Sequence, residues 1–490
     1  MKRTGGCPAA RAFAGAALLA LAAACGDRGA PLREPARAPA AGPLRVDSAN
    51  PRYFTDGHGA VLLAGAHTWT SLQDAGNTDP PPPFDYDAYL RFLVANGHNF
   101  FRLWMWEQAE WSTEVVTPYW FAPLPCQRTG PGLALDGKPR FDLTRYDGAY
   151  FQRLRARVQA ADRLGIYVAV MLFDGWSVEP KNRRGGNPWR GHPFNRANNV
   201  NGIDGDPHHH GEGKETQTLQ IPAVTAVQEA YVRHVVDAVA DLDNVLYEVS
   251  NESDTASTTW EDHMVDVIKR YEAGKPKQHP VGVTVAWPGG SNAALYAGPG
   301  DWISPSGDAS RPPVGDGRKV VVWDTDHLCG ICTPRGFAWK GLLSGLNLLL
   351  MDPYTPPDTG MGVPGDYRFR DPAWRQARRA LGFARSLAAL VNLEAMRPRP
   401  DLASSGYCLA HPAGPGAAYL VYAPDRGPLS VDLSQARGRL AVEWLRADTG
   451  VLVSADSVTG GAPRTFRAPF HGDAVLYIHD GFAERTNAHD

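Results

Sequence analysis

From residue 46 to about 395 the chain alternates between two spacings of hydrophobic positions. Short apolar runs that end in Gly, Asn, Asp or Trp read as strands buried on both faces. Longer stretches with apolar residues three and four apart read as helices. The strand-like runs are "AVLLAGAHTW", "HNFFRLWMW", "IYVAVMLFDGW", "NVLYEVSNE", "HPVGVTVAW", "DWISPSG", "RKVVVWDTDHL" and "LNLLLMDPY". Between and after them lie "FDYDAYLRFLVANG", "FQRLRARVQAADRLG", "AVQEAYVRHVVDAVADL", "WEDHMVDVIKRYEAG", "RGFAWKGLLSG" and "AWRQARRALGFARSLAALV", all with helical spacing. Eight strands interleaved with helices in one block predict an α/β fold, a (β/α)8 barrel over 46–398. A doubly wound open sheet would more often open on a Gly-rich phosphate turn, and "GAHTWTSL" is not one.

The pattern changes after residue 403. "YCLAHPAG", "AAYLVYAP", "LSVDLS", "LAVEWLRADTG", "RTFRAPF" and "AVLYIH" are short strands separated by Gly, Pro, Asp and Ser, with no helix between them. They predict a small antiparallel β-sandwich over 403–480.

Both ends of the composition range are excluded: 43% of the 490 residues are hydrophobic and 21% charged, as in a soluble globular protein. A formal net charge of -3 offers no electrostatic reason to bind nucleic acid or an anionic membrane surface. The first 25 residues are different. Lys2, Arg3 and Arg11 precede the apolar run "AFAGAALLALAAAC", which is shorter than the roughly 20 residues a spanning helix needs. "LAAAC" resembles a bacterial lipobox, with Ala22 where Leu is usual, and implies export with a lipid anchor on Cys25 at the cell envelope; plain secretion is the alternative. Residues 26–45, rich in Ala, Pro, Arg and Gly, read as a flexible tether. Export would let disulfides persist. Cys126, Cys329, Cys332 and Cys408 follow the lipobox, and their spacing does not fix a pairing.

A barrel of this kind carries its active site at the C-terminal ends of its strands. In order, those ends bear His67 and Trp69; Arg102, Trp104, Trp106 and Glu107; Asp174 and Trp176; Asn251 and Glu252; Trp287; Ser304 and Ser306; Asp324, Asp326 and His327; and Asp352 and Tyr354. Carboxylates, aromatics, one Arg and two His therefore converge on one rim. A carboxylate pair can break a glycosidic bond: one carboxyl protonates the leaving oxygen, and the other supplies negative charge to the oxocarbenium-like centre. The environments of the two groups must then push their pKa values apart. Trp, Tyr and His at the rim suit sugar rings and hydroxyls, although each also serves ordinary barrel packing.

"SNE" at Asn251-Glu252 and "FRLW" around Arg102 resemble clan A of the glycoside hydrolases. The resemblance implies an acid/base Glu252 after strand four and an Arg102 that supports a nucleophile after strand seven. It also implies a retaining outcome. One feature departs from it: strand seven ends "VVVWDTDHL", without Glu, so Asp324 or Asp326 must take the nucleophile's place. Two apart on a strand, both would face the barrel mouth. "DTDHL", "WKGLLSGLN" and "GDAVLYI" further resemble exported bacterial glycoside hydrolases that end in a domain named for collagen binding, a name given by analogy.

The sequence thus leads to an exported glycoside hydrolase acting on a poly- or oligosaccharide. Glu252 with Asp324 or Asp326 is catalytic, and His67, Trp69, Arg102, Trp104, Trp106, Glu107, Asn251, Trp287 and His327 contact substrate. No cofactor or metal is expected. His208-His209-His210 with Asp204 and Asp206 could hold a metal, but a His run in a polar loop more often faces solvent. The alternative reading is a sugar-binding or adhesion protein on a degenerate barrel, favoured by the missing Glu.

Overall fold

A computed structural model describes residues 29–111, 119–181, 186–354, 370–425 and 427–481. Cys25 and the leader lie outside them. Eight parallel strands close into a barrel: β1 (Ala64–His67), β2 (Phe100–Leu103), β3 (Tyr167–Asp174), β4 (Val245–Asn251), β5 (Val281–Thr284), β6 (Trp302–Ser304), β7 (Val320–Asp324) and β8 (Asn347–Met351). β8 pairs with β1 and β2 with β3, so the sheet has no edge.

The helices α1 (Tyr86–Ala95), α2 (Gly148–Asp162), α3 (Pro222–Val239), α4 (Thr258–Glu272), α5 (Asn292–Ala297), α6 (Asp326–Cys329), α7 (Phe337–Leu343) and α8 (Pro372–Ala388) connect or follow the strands. Local chemistry fixes their starts. Asp85 Oδ1 accepts from Ala88 N at 2.8 Å before α1, and Asp371 Oδ1 accepts from Ala373 N at 2.7 Å before α8. Each such cap contributes about 1 kcal/mol. Pro222 and Pro372 sit at first helical positions, where no N–H is needed.

Inside the barrel the side chains form layers. Phe100, Ala169, Leu246, Trp302, Val322 and Leu349 make an apolar floor. Two residues further along three of those strands come Arg102, Glu248 and Asp324, all buried. The strand period of two thus stacks a charged layer directly on the apolar one.

The expected strand "RKVVVWDTDHL" is cut short. β7 stops at Asp324, and Asp326 starts the one-turn helix α6. The cause is local: Asp324 Oδ1 accepts a 3.0 Å hydrogen bond from Asp326 N, and Thr325 takes helical angles. The long connection after β2 also holds structure that its hydrophobic pattern did not suggest, a hairpin of Cys126–Leu133 and Pro139–Tyr146.

Beyond the barrel, seven strands form one antiparallel sheet in the order Ala30–Pro31, Val451–Thr459, Arg439–Arg446, Ala474–His479, Ala418–Ala423, Cys408–His411 and Arg397–Pro398. A two-stranded sheet, Leu429–Asp432 with Pro463–Phe466, covers one face. Leu420, Tyr422, Val475 and Tyr477 point the other way and join the barrel's core. Burial on both faces explains why "AAYLVYA" and "AVLYIH" are almost wholly apolar.

Residues 29–44 are docked rather than loose, unlike the expected tether. Ala30 pairs with Leu452, Arg37 Nη1 donates to His98 O at 2.9 Å, and Ala40 N donates to Asp162 Oδ1 at 3.1 Å. Cys329 and Cys332 are joined in a disulfide, while Cys126 and Cys408 are free.

Candidate active site

Arg102 is the hub of the charged layer. Its Nε donates to Glu248 Oε2 at 2.8 Å, and its Nη1 donates to Asp326 Oδ2 at 3.0 Å and Asn251 Oδ1 at 3.2 Å. Its Nη2 lies 3.1 Å from Asp324 Oδ2, an ion pair off the hydrogen-bond axis. Burial works against a guanidinium, but Glu248, Asp324 and Asp326 outweigh it and keep Arg102 cationic.

The two Asp residues of "DTD" part company here. The Asp324 side chain is sealed, with His67 Nε2 3.2 Å from its Oδ1. Burial alone would raise its pKa, yet His67 and Arg102 hold it well below the usual carboxylate range. The Asp326 side chain keeps 6% exposure, and its charge acts on Glu252.

Glu252 follows β4 in a left-handed conformation, φ +47°, uncommon for a residue with a side chain. Such a conformation costs of order 1 kcal/mol or more, so the surroundings must impose it. Thr284 Oγ1 accepts from Glu252 N at 3.2 Å. Behind it, a Cβ on Gly175 would come within 2.2 Å of Glu252 O, so only glycine lets the turn after β3 pass that close. Trp176 Nε1 donates to Glu252 Oε2 at 2.6 Å. Burial first, then the Asp326 charge, push the Glu252 carboxyl well above its usual range; the Trp176 bond only partly opposes this.

Asn251 joins the two halves of the site. Its Oδ1 faces Arg102, and His327 Nε2 lies 3.2 Å from the same oxygen. Burial lowers the His327 pKa to about 4, so the ring is neutral at pH 7. An Nε2–H donating to Asn251 leaves Nδ1 to accept from Ser304 Oγ at 2.6 Å. The Asn251 amide Nδ2 donates to Asp174 Oδ1 at 3.3 Å. Burial pushes Asp174 up to about 8 and Glu248 up to about 7, the latter despite Arg102.

The sequence-derived aromatics are treated unequally. Trp104 is buried and stacks on His67 with 5.6 Å between centroids. Trp106 is buried and donates from Nε1 to Trp69 O at 2.9 Å. Both are placed for packing rather than for contact with a ligand, and Trp69 is nearly as deep at 9% exposure. Trp287, 40% exposed, stacks on Trp176 at 5.5 Å and 11° and forms an open aromatic wall. Glu107 is buried with both oxygens engaged: its Oε1 accepts from Asp174 N at 3.1 Å, and its Oε2 lies 3.3 Å from His192 Nε2.

Glu248 was absent from the sequence-derived site, and Trp176 was placed on the rim without a role. Glu248 had a signal, a lone acid within the apolar strand "VLYEVSN" and in register with Glu252. Trp176 had only its place after a strand. His67, Asp324 and Asp326 cluster closely enough to suggest a metal. The Arg102 guanidinium already bridges both carboxylates, so the donor set does not fit a second cation there.

Residues 109–287 match the model of a family described only as a domain of unknown function, DUF6298. No curated protein matches the chain. Among solved structures, a glycoside hydrolase family 5 protein from Bacteroides vulgatus ATCC 8482 is similar at 13% identity and a TM-score of 0.56, covering 90% of this chain and 94% of that one. A candidate glycoside hydrolase from the same organism is similar at 16% identity and a TM-score of 0.58, covering 89% and 82%. At these identities the likeness is one of fold, and the fold shared is the closed (β/α)8 barrel.

Proposed function

We propose that this chain is a glycoside hydrolase with Glu252 as general acid/base and Asp326 as the carboxylate that attacks or stabilises the anomeric carbon. The observation that supports it is a division of environments: burial and the Asp326 charge raise the Glu252 carboxyl above its usual range, while Asp326 is paired to the Arg102 cation. Asp324 is then a positioning residue: sealed from the cavity, it holds Arg102, His67 and the Asp326 backbone. Arg102 and Asn251 likewise act through their neighbours, while His327 and Trp287 border the space a sugar would fill. Glu252 protonates the leaving oxygen, then takes a proton from water when the anomeric centre is released. Attack by Asp326 on that centre would form a covalent glycosyl intermediate, so this reading carries a retaining outcome. A carbohydrate substrate, export and a lipid on Cys25 belong to this same proposal.

The test is hydrolysis of a panel of nitrophenyl glycosides by the wild-type protein, Glu252→Gln and Asp326→Asn. Turnover of at least one glycoside by the wild type, lost in both variants, is expected. Sugar binding that survives both changes, with no turnover of any glycoside, would establish the adhesion reading instead. That reading draws on one observation, the use of both β7-end carboxylates to neutralise Arg102.

A further inference from the structure

We propose that the loop between β3 and α3 carries a structural site for a divalent transition metal of the zinc class. One ligand atom each from Asp206, His210 and Glu215 lies within 4.8 Å of the others. His210 Nδ1 is 3.0 Å from Glu215 Oε1, and His208 Nδ1 is 3.6 Å from the same oxygen. Tetrahedral ligands about 2.0–2.2 Å from a zinc ion are separated by roughly these distances.

A simple imidazole–carboxylate pair would account for His210 and Glu215. Asp206, which is buried, adds a third ligand atom within the same 4.8 Å. His210 N donates to Asp206 Oδ1 at 2.8 Å and Gly211 N donates to Oδ2 at 2.7 Å. These bonds orient the carboxylate and leave each oxygen a further lone pair. Among the described residues, no Lys or Arg pairs with Asp206 or Glu215, and the ion-pair partners of Glu215 are the imidazoles of His208 and His210.

The backbone places the ligands in advance. His209 has φ +57° and, with Glu252, is one of two non-glycine residues at positive φ among the described residues. This turn brings the His208 and His210 rings to 5.6 Å, nearly parallel at 21°. Gly205 and Gly213, on either side, press against the Trp189 ring and anchor both ends of the loop. Imidazole with carboxylate suits zinc, copper, cobalt or nickel, whereas calcium and magnesium prefer all-oxygen sites.

The chemistry proposed above uses no metal, so this site would serve the loop. Gly213 N donates to Val178 O at 2.7 Å, and Gln217 Nε2 lies 3.4 Å from Glu107 Oε1. A metal would therefore brace the segment that carries Trp176.

The test uses the full chain without an affinity tag, stripped with chelator and titrated with zinc chloride by calorimetry. Cobalt substitution is followed by its visible absorption. One equivalent of zinc per chain, with micromolar or tighter affinity and a raised melting temperature, is expected. His210→Ala and Glu215→Gln should each weaken zinc binding at least 10-fold with unchanged circular dichroism, because the His210 side chain is exposed and Gln keeps the shape of the mostly buried Glu215 side chain. His209→Asn, which keeps a residue tolerant of positive φ but removes a non-ligating imidazole, should bind as the wild type does. Failure of the wild type to bind a stoichiometric ion, or unaltered affinity in His210→Ala and Glu215→Gln, would overturn the site.

Discussion

Replacing Arg102 by Met should expose how the charged layer is balanced. The substitution preserves length and apolar stem but removes one cation from contact with Glu248, Asp324 and Asp326. All three partners sit in the barrel interior or at its rim, where breaking a buried ion pair costs about 3–5 kcal/mol. The loss should depend on pH, and its sign follows from the two perturbed groups that Arg102 restrains. Asp324 has a folded pKa below its unfolded one, so its stabilisation is present above the unfolded value and is lost as pH falls through the folded value. Without Arg102, burial opposes its ionisation, and His67, the Asp326 backbone N–H and His327 are left to compensate. Glu248 is raised to about 7 even with Arg102 present, so it destabilises as pH rises from its unfolded value towards 7. Removing the cation raises it further and extends that penalty to higher pH. In the variant both carboxyls can escape the penalty by taking up protons in acid. The stability gap between wild type and Arg102→Met should therefore be about 3–5 kcal/mol at pH 8 and shrink towards pH 5. Urea unfolding followed by tryptophan fluorescence at the two pH values measures it. A gap that is flat, or that widens on acidification, would refute the reasoning.

Further outcomes follow from single contacts. Gly175→Ala places a methyl group against Glu252 O and should lower kcat on the order of 100-fold with an intact fold, since a shift of about 1 Å in a catalytic group costs that much; kinetics with circular dichroism would show it, and near-normal kcat would contradict the close approach. Trp176→Phe removes a hydrogen bond that favours ionised Glu252, so the alkaline limb of kcat/KM should move to higher pH. A move to lower pH would place the essential acid elsewhere. Trp287→Ala opens the exposed half of the aromatic wall and should raise KM more than it lowers kcat; an equal loss in both kcat and kcat/KM would tie Trp287 to the transition state instead.

Much of the barrel was legible because its strands are buried on both faces and read as apolar runs ended by polar residues. The same feature placed Arg102, Asn251 and Asp324 near the C-terminal ends of their strands, with Glu252 just beyond, as the structure has them. What escaped depends on contacts between segments. The hydrogen bond from Asp326 N to Asp324 Oδ1 ends β7 early, and no hydrophobic pattern announces it. The different settings of Asp324, sealed between His67 and Arg102, and Asp326, on Arg102 at the edge of the layer, depend on where those partners lie. Trp104 and Trp106 read as sugar platforms because aromatic residues at a rim look alike in sequence; only the packing around them shows that one backs His67 and the other bonds Trp69. Residues 29–44 have the composition of a tether, yet backbone pairing to Leu452 and the Arg37 bonds hold them down.

The division of labour between two acidic groups is tested most directly by leaving-group dependence in Glu252→Ala, using aryl glycosides of the sugar the wild type accepts. General acid catalysis contributes about 10²–10⁴-fold when the departing oxygen needs a proton. A dinitrophenyl glycoside, whose phenolate departs unaided, should form its intermediate at close to the wild-type rate. A glycoside with a basic leaving group should lose the full factor. Equal losses for both substrates would mean that Glu252 does not donate the proton.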